Sequence, residues 1–130
     1  MHERFAFDYA IVRVVPRVDR GEFLNVGVIL FCPTAAYLQS RIELDRERLR
    51  MLAPSIDLDA VQSYLDVIPR VCAGGVDAGS IGELPQRARF HWLVAPRSTI
   101  LQMSPVHAGV HHDLDAALTH LFEKLVRSPA

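Results

Sequence analysis

Residues Phe5 to Pro16, FAFDYAIVRVVP, and Glu22 to Cys32, EFLNVGVILFC, flank the short segment RVDRG from Arg17 to Gly21. Both runs are rich in β-branched and aromatic residues, and the segment between them has turn chemistry, so the stretch predicts a β-hairpin. A turn centred on Asp19 sets a symmetric register, with Val14 opposite Leu24, Val12 opposite Val26 and Ala10 opposite Val28 on one apolar face. The other face then sets Tyr9, Ile11 and Arg13 against Ile29, Gly27 and Asn25. A one-residue bulge near Gly21 would change these partners but not the alternation within either strand.

Working outward, Pro33 to Ala36 supply a turn and Tyr37 to Ile42 a third strand, completing a meander. Asp45 caps a short helix ending before Pro54, and Asp57 caps a longer one. In the longer helix Leu58, Val61, Leu65, Ile68 and Cys72 form a stripe, and Pro69 ends or kinks it. The glycine-rich Ala73 to Glu83 reads as a mobile surface loop, without the Lys-Ser or Lys-Thr of a phosphate loop. Arg89 to Ala95, RFHWLVA, reads as a strand, with Thr99 to Met103 as its continuation or partner. Asp113 caps a last helix with an apolar stripe from Leu114 to Leu125. The expected fold is α+β: an antiparallel sheet of four to five strands, an N-terminal meander plus a later strand pair, covered on one face by two to three helices.

The chain of 130 residues is 50% apolar and 22% charged, which fits a single domain, 1–130, with a sizeable core. A formal net charge of −1 provides no field for general nucleic-acid binding. No apolar leader or membrane-length run is present, so a cytoplasmic protein is expected. Cys32 and Cys72 are too few for a disulfide scaffold or a metal cage and read as reduced, buried residues.

Polar residues interrupt the hairpin at Arg13, Arg20, Glu22 and Asn25. Arg13 and Asn25 sit across from each other on the symmetric register, about 5 Å apart, close enough to hydrogen bond or to hold an anion jointly. Gly27 beside them would let another backbone approach. Two readings stay open. In one, Arg20 and Glu22 are a surface pair, Asn25 bonds backbone at a bulge and Gly27 relieves crowding. In the other, Arg13 and Asn25 contact a partner or ligand while Arg20 and Glu22 orient the loop.

Neither reading yields a nucleophile beside a base, and Asp19 with Glu22 does not make a paired-carboxylate hydrolase. Non-enzymatic function is therefore favoured and no cofactor is expected. The segment HAGVHHDLD holds His107, His111 and His112, but it lacks a zincin glutamate and is better explained by Asp113 capping a helix, so no metal is expected. Pro96 to Thr99 could place Arg97 and two hydroxyls around an anion, although an ordinary turn explains them as well.

The pattern RxVPxxxRGEFxNVGVxLF, then Phe90 and Trp92 ahead of Arg97, Ser98 and Thr99, then Leu121, Phe122, Leu125 and Val126, resembles the bacterial domain-of-unknown-function 3037 family over nearly the whole chain. The resemblance implies a small bacterial protein of no assigned activity, whose gene often lies beside one for a HipA-like protein kinase.

Two functions are therefore carried forward. The first is an interaction or antitoxin-like regulatory domain partnering a HipA-like kinase through the hairpin around Arg13 to Asn25, with the Arg97 turn as an optional addition to that surface. The second is a small enzyme or sensor for an anionic or nucleotide-like ligand held by Arg13, Arg20, Asn25 and Arg97, with Glu22 as acid or base. Convergence of those four groups is its requirement. Ile11, Ile29 and Phe31 would also leave apolar surface for a homodimer unless a helix covers it.

Overall fold

A computed structural model describes residues 3–97 and 99–127. Strands β1 (Phe5–Val14), β2 (Leu24–Cys32) and β3 (Tyr37–Ile42) form the meander. They are followed by α1 (Arg46–Leu52), α2 (Leu58–Ala73), α3 (Gln86–Val94), β4 (Leu101–Met103), β5 (His107–His111) and α4 (Leu114–Leu125). The α+β class and the five-stranded antiparallel sheet agree with expectation. The order is β3-β2-β1-β4, and β5 pairs with the other half of β1. Where the outer chain steps from β4 to β5, buried Ser104 fills the gap: its hydroxyl accepts from Ile11 N at 2.8 Å and its own N–H donates to Ile11 O at 2.9 Å.

Three helices begin as their sequences dictate. The carboxylates of Asp45, Asp57 and Asp113 accept from backbone N–H groups of Arg48, Ala60 and Ala116 at 3.0–3.1 Å, satisfying donors that a helix start leaves unpaired. The helix α2 runs through Pro69 to Ala73. The expected loop at 73–83 is folded into 3₁₀ turns over Val76–Glu83, closed by Gly75 N–H donating to Gly82 O at 3.0 Å.

Three expectations change. First, Arg89–Ala95 is not a strand: α3 occupies Gln86–Val94. The helix formers Gln86 to Arg89 follow Pro85, whose fixed φ suits a helix start, and Phe90 and Leu93, three apart, are its buried residues. Arg89 then reaches back to α2, where its Nη1 donates to Val71 O and Cys72 O at 2.8 and 2.7 Å.

Second, the hairpin register is symmetric only near the turn. Val14 pairs with Leu24 and Arg13 with Asn25, but Val12 then pairs with Gly27, Ile11 with Val28 and Ala10 with Ile29. Val26 is an extra residue, and the bulge lies at Val26 and Gly27 rather than near Gly21. It reverses the alternation along β2: Leu24, Val26, Ile29 and Phe31 share one core, while Val28, Leu30 and Cys32 belong to another.

Third, the sheet is covered on both faces. On one side Val12, Val14, Val26, Ile29 and Phe31 pack against Leu49, Val61, Leu65, Ile68, Phe90 and Leu93 from α1, α2 and α3. On the other, Phe7, Val28, Leu30 and Cys32 pack against Leu114, Ala117, Leu118 and Phe122 of α4. Ile11, Ile29 and Phe31 are consequently buried, so helices cover the residues that would otherwise have left apolar surface for a homodimer. Both cysteines are free and buried, and desolvation raises the Cys72 thiol to about 11.

Candidate functional site

At the turn end of the sheet, beyond the C-terminus of α4, three polar side chains lie in a row across β2, β1 and β4: Asn25, Arg13 and Gln102 are successive register partners. Since Leu24, Val12, Val14, Leu101 and Met103 belong to the core beneath α2 and α3, strand alternation turns this row to the α4 side. Asn25 Nδ2 donates to Leu125 O at 3.1 Å, satisfying a carbonyl in the last turn of α4. Gln102 Nε2 donates to Thr99 O at 3.1 Å.

The Arg13 guanidinium lies 4.2 Å above the ring of Phe23, which is 47% exposed. Among the described residues, Arg13 Nε and Asn25 Oδ1 are buried without a hydrogen-bond partner. A donor and an acceptor thus go unsatisfied on one strand pair, in a fold where buried polar atoms are nearly always paired. An exposed aromatic ring under a positioned guanidinium, with polar capacity in reserve beside it, is an arrangement suited to recognition.

The other candidate residues lie elsewhere. Arg20 donates to Glu22 at the exposed turn, and Arg17 pairs with Asp19 at 3.1 Å. Arg20 and Glu22 border a hollow formed with Leu52 to Ile56 instead of joining Arg13. Gly27 is structural: a Cβ there would meet Ile42 Cγ1 at 2.8 Å and Arg41 O at 2.9 Å, so the backbone that approaches it is that of β3. Arg97 packs on Trp92 among residues of the α2 and α3 face, across the sheet from Arg13. Ser98 of the expected turn lies outside the described residues. Arg13, Arg20, Asn25 and Arg97 therefore do not converge, and a ligand site made of all four is ruled out. His107 and His111 lie at the two ends of β5, and His111 Nδ1 accepts from Asp113 N–H at 2.8 Å.

The sequence profile of the family described as "Protein of unknown function (DUF3037)" matches residues 9–126. The chain belongs to the DUF3037 family. No curated protein and no solved structure matches it. Within this DUF3037 chain, the family-like segment from Arg13 to Val28 contains Phe23, which the residue-by-residue reading passed over. Its signal was an aromatic side chain in the turn-proximal stretch, just before the first residue of β2. Gln102 carried no signal, because only the β1 and β4 pairing brings it to Arg13.

Ion pairs secure α4 beside this row. Arg127 bonds Glu43 and also reaches Glu123 at 3.2 Å, while Arg41 stands 3.9 Å from Glu123. The hydrogen bond from Arg127 holds the Glu43 carboxyl below its ordinary range, with added attraction from Arg127 and Arg41. A lowered folded-state value means that the contribution is complete above the ordinary glutamate range and is lost as the pH falls through the folded value. Melting temperatures of the wild type and Glu43→Gln should therefore differ near neutrality and converge as the pH falls below the ordinary glutamate range and through the lowered folded-state value. The difference should be small, because exposed pairs contribute little. A gap that stays constant into acid would mean that the carboxylate charge does not matter.

Proposed function

We propose that this DUF3037 protein is a non-enzymatic interaction domain, acting in the cytoplasm as an accessory or antitoxin-like regulator of a HipA-like protein kinase. Its docking surface is the Arg13 and Phe23 platform. The observation that carries the reading is the half-exposed Phe23 ring beneath the Arg13 guanidinium, beside polar atoms of Arg13 and Asn25 that have no partner among the described residues. Arginine and aromatic anchors dominate binding energy at protein interfaces, and an unpaired buried donor or acceptor favours a partner that completes it. The kinase identity rests on the gene neighbourhood that the family resemblance implies.

The test is co-expression with a HipA-like kinase from the same genome, followed by size-exclusion chromatography at micromolar concentration. The wild type should co-elute with the kinase. Arg13→Ala and Phe23→Ala should each weaken binding by about tenfold or more without moving the thermal transition of the free protein, as expected for hot-spot residues. Asn25→Ala is a poorer probe, because it also releases the Leu125 carbonyl. Separate elution of the wild-type proteins would overturn the partnership. Binding unchanged in both variants would overturn the placement of the surface.

A further inference from the structure

Across the sheet from Arg13, elements α2, α3 and β4 enclose a hollow of about 450 Å³ whose walls include Tyr64, Val67, Ile68, Trp92, Leu101 and Met103. It is within the size range of small-molecule sites. Among the described residues no acidic side chain lines it. One cation does: the Arg97 guanidinium lies 4.4 Å over the Trp92 ring and gives one N–H to Trp92 O at 2.6 Å. Among the described residues no carboxylate forms an ion pair with it. Tyr64 and Val67, 54% and 38% exposed, leave the rim open.

We propose that this hollow binds a small amphipathic monocarboxylate, its apolar body against Trp92, Leu101 and Met103 and its carboxylate on the remaining N–H groups of Arg97. Stacking and the bond to Trp92 O hold the guanidinium in place, so little side-chain freedom is lost when an anion arrives. The apolar walls add affinity for a hydrocarbon or aryl body and disfavour a strongly hydrated inorganic anion, which would lose water without gaining polar partners. A single unpaired cation matches a single negative charge and repels a cationic amphiphile. The site is separate from the Arg13 and Phe23 platform, and each proposal can fail alone.

Trp92 is the only tryptophan of the chain, so its fluorescence reports on the hollow directly. Decanoate, titrated below its micellar concentration, should change the Trp92 emission saturably. Decanol and decyltrimethylammonium should bind more weakly by about tenfold, the scale of one charge-assisted contact. Arg97→Gln should lose a similar factor for decanoate and none for decanol. Because that variant also deletes the bond to Trp92 O, wild-type binding is measured at low and high salt as well, and decanoate affinity should fall as screening rises. No saturable response, equal affinity for decanoate and decanol, or decanoate binding insensitive to both salt and Arg97→Gln would overturn the proposal.

Discussion

Phe122→Ala is expected to destabilise the protein by about 3–5 kcal/mol, the usual cost of emptying a buried aromatic site. Phe122 is 1% exposed and joins α4 to Phe7, Val28 and Leu30 on the sheet. Arg41 and Arg127 place their guanidinium groups 4.6 and 5.3 Å from its ring. Truncation therefore removes apolar burial, leaves a cavity and frees the two cations of the ion-pair network that ties α4 to β3. Against a net stability of about 5–15 kcal/mol, the loss is large enough to populate unfolded chains at physiological temperature. Urea unfolding should show a lower midpoint. A change below about 1 kcal/mol would mean that α4 is not an integral layer of the core.

Gly27→Val is expected to rank second, at about 1–3 kcal/mol and toward the top of that range. The cost has a different origin, because nothing is deleted. The new Cβ would press on Arg41 O and on Ile42, both within 3 Å, and a carbonyl inside a ladder cannot swing aside as a flexible side chain can. Relief requires β2 and β3 to separate at the bulge. The change should therefore speed amide hydrogen exchange along β3 more than along β1. Uniform acceleration, or none, would place the strain elsewhere.

The parts of the fold that could be read from the chain were those set by local chemistry. A carboxylate before an apolar stripe marks a helix start wherever it occurs, and Asp45, Asp57 and Asp113 all cap as read. The β-branched runs made strands, and pairing near the turn put Arg13 opposite Asn25. The bulge at Val26 was hidden because β2 is apolar on both sides. Without polar residues to mark a solvent face, a slip in alternation leaves no trace in the pattern. Arg89 to Ala95 was misread because Phe90 and Trp92 alternate like strand residues, whereas the buried pair is Phe90 and Leu93, and the helix begins upstream at Gln86. The helix places Arg97 against Trp92 on the α2 and α3 face, so four polar groups that look like one cluster along the chain are divided by the sheet.

The second layer of the core also bears on how the molecule is made. The residues that α4 covers, Val28, Leu30 and Cys32, leave the ribosome roughly 80 residues before Leu114 does. At about 5–20 residues per second, they wait several seconds beside the translation machinery with no covering helix. The nascent meander would thus keep an uncovered apolar sheet face throughout that interval, and this layer closes only once α4 has followed it out.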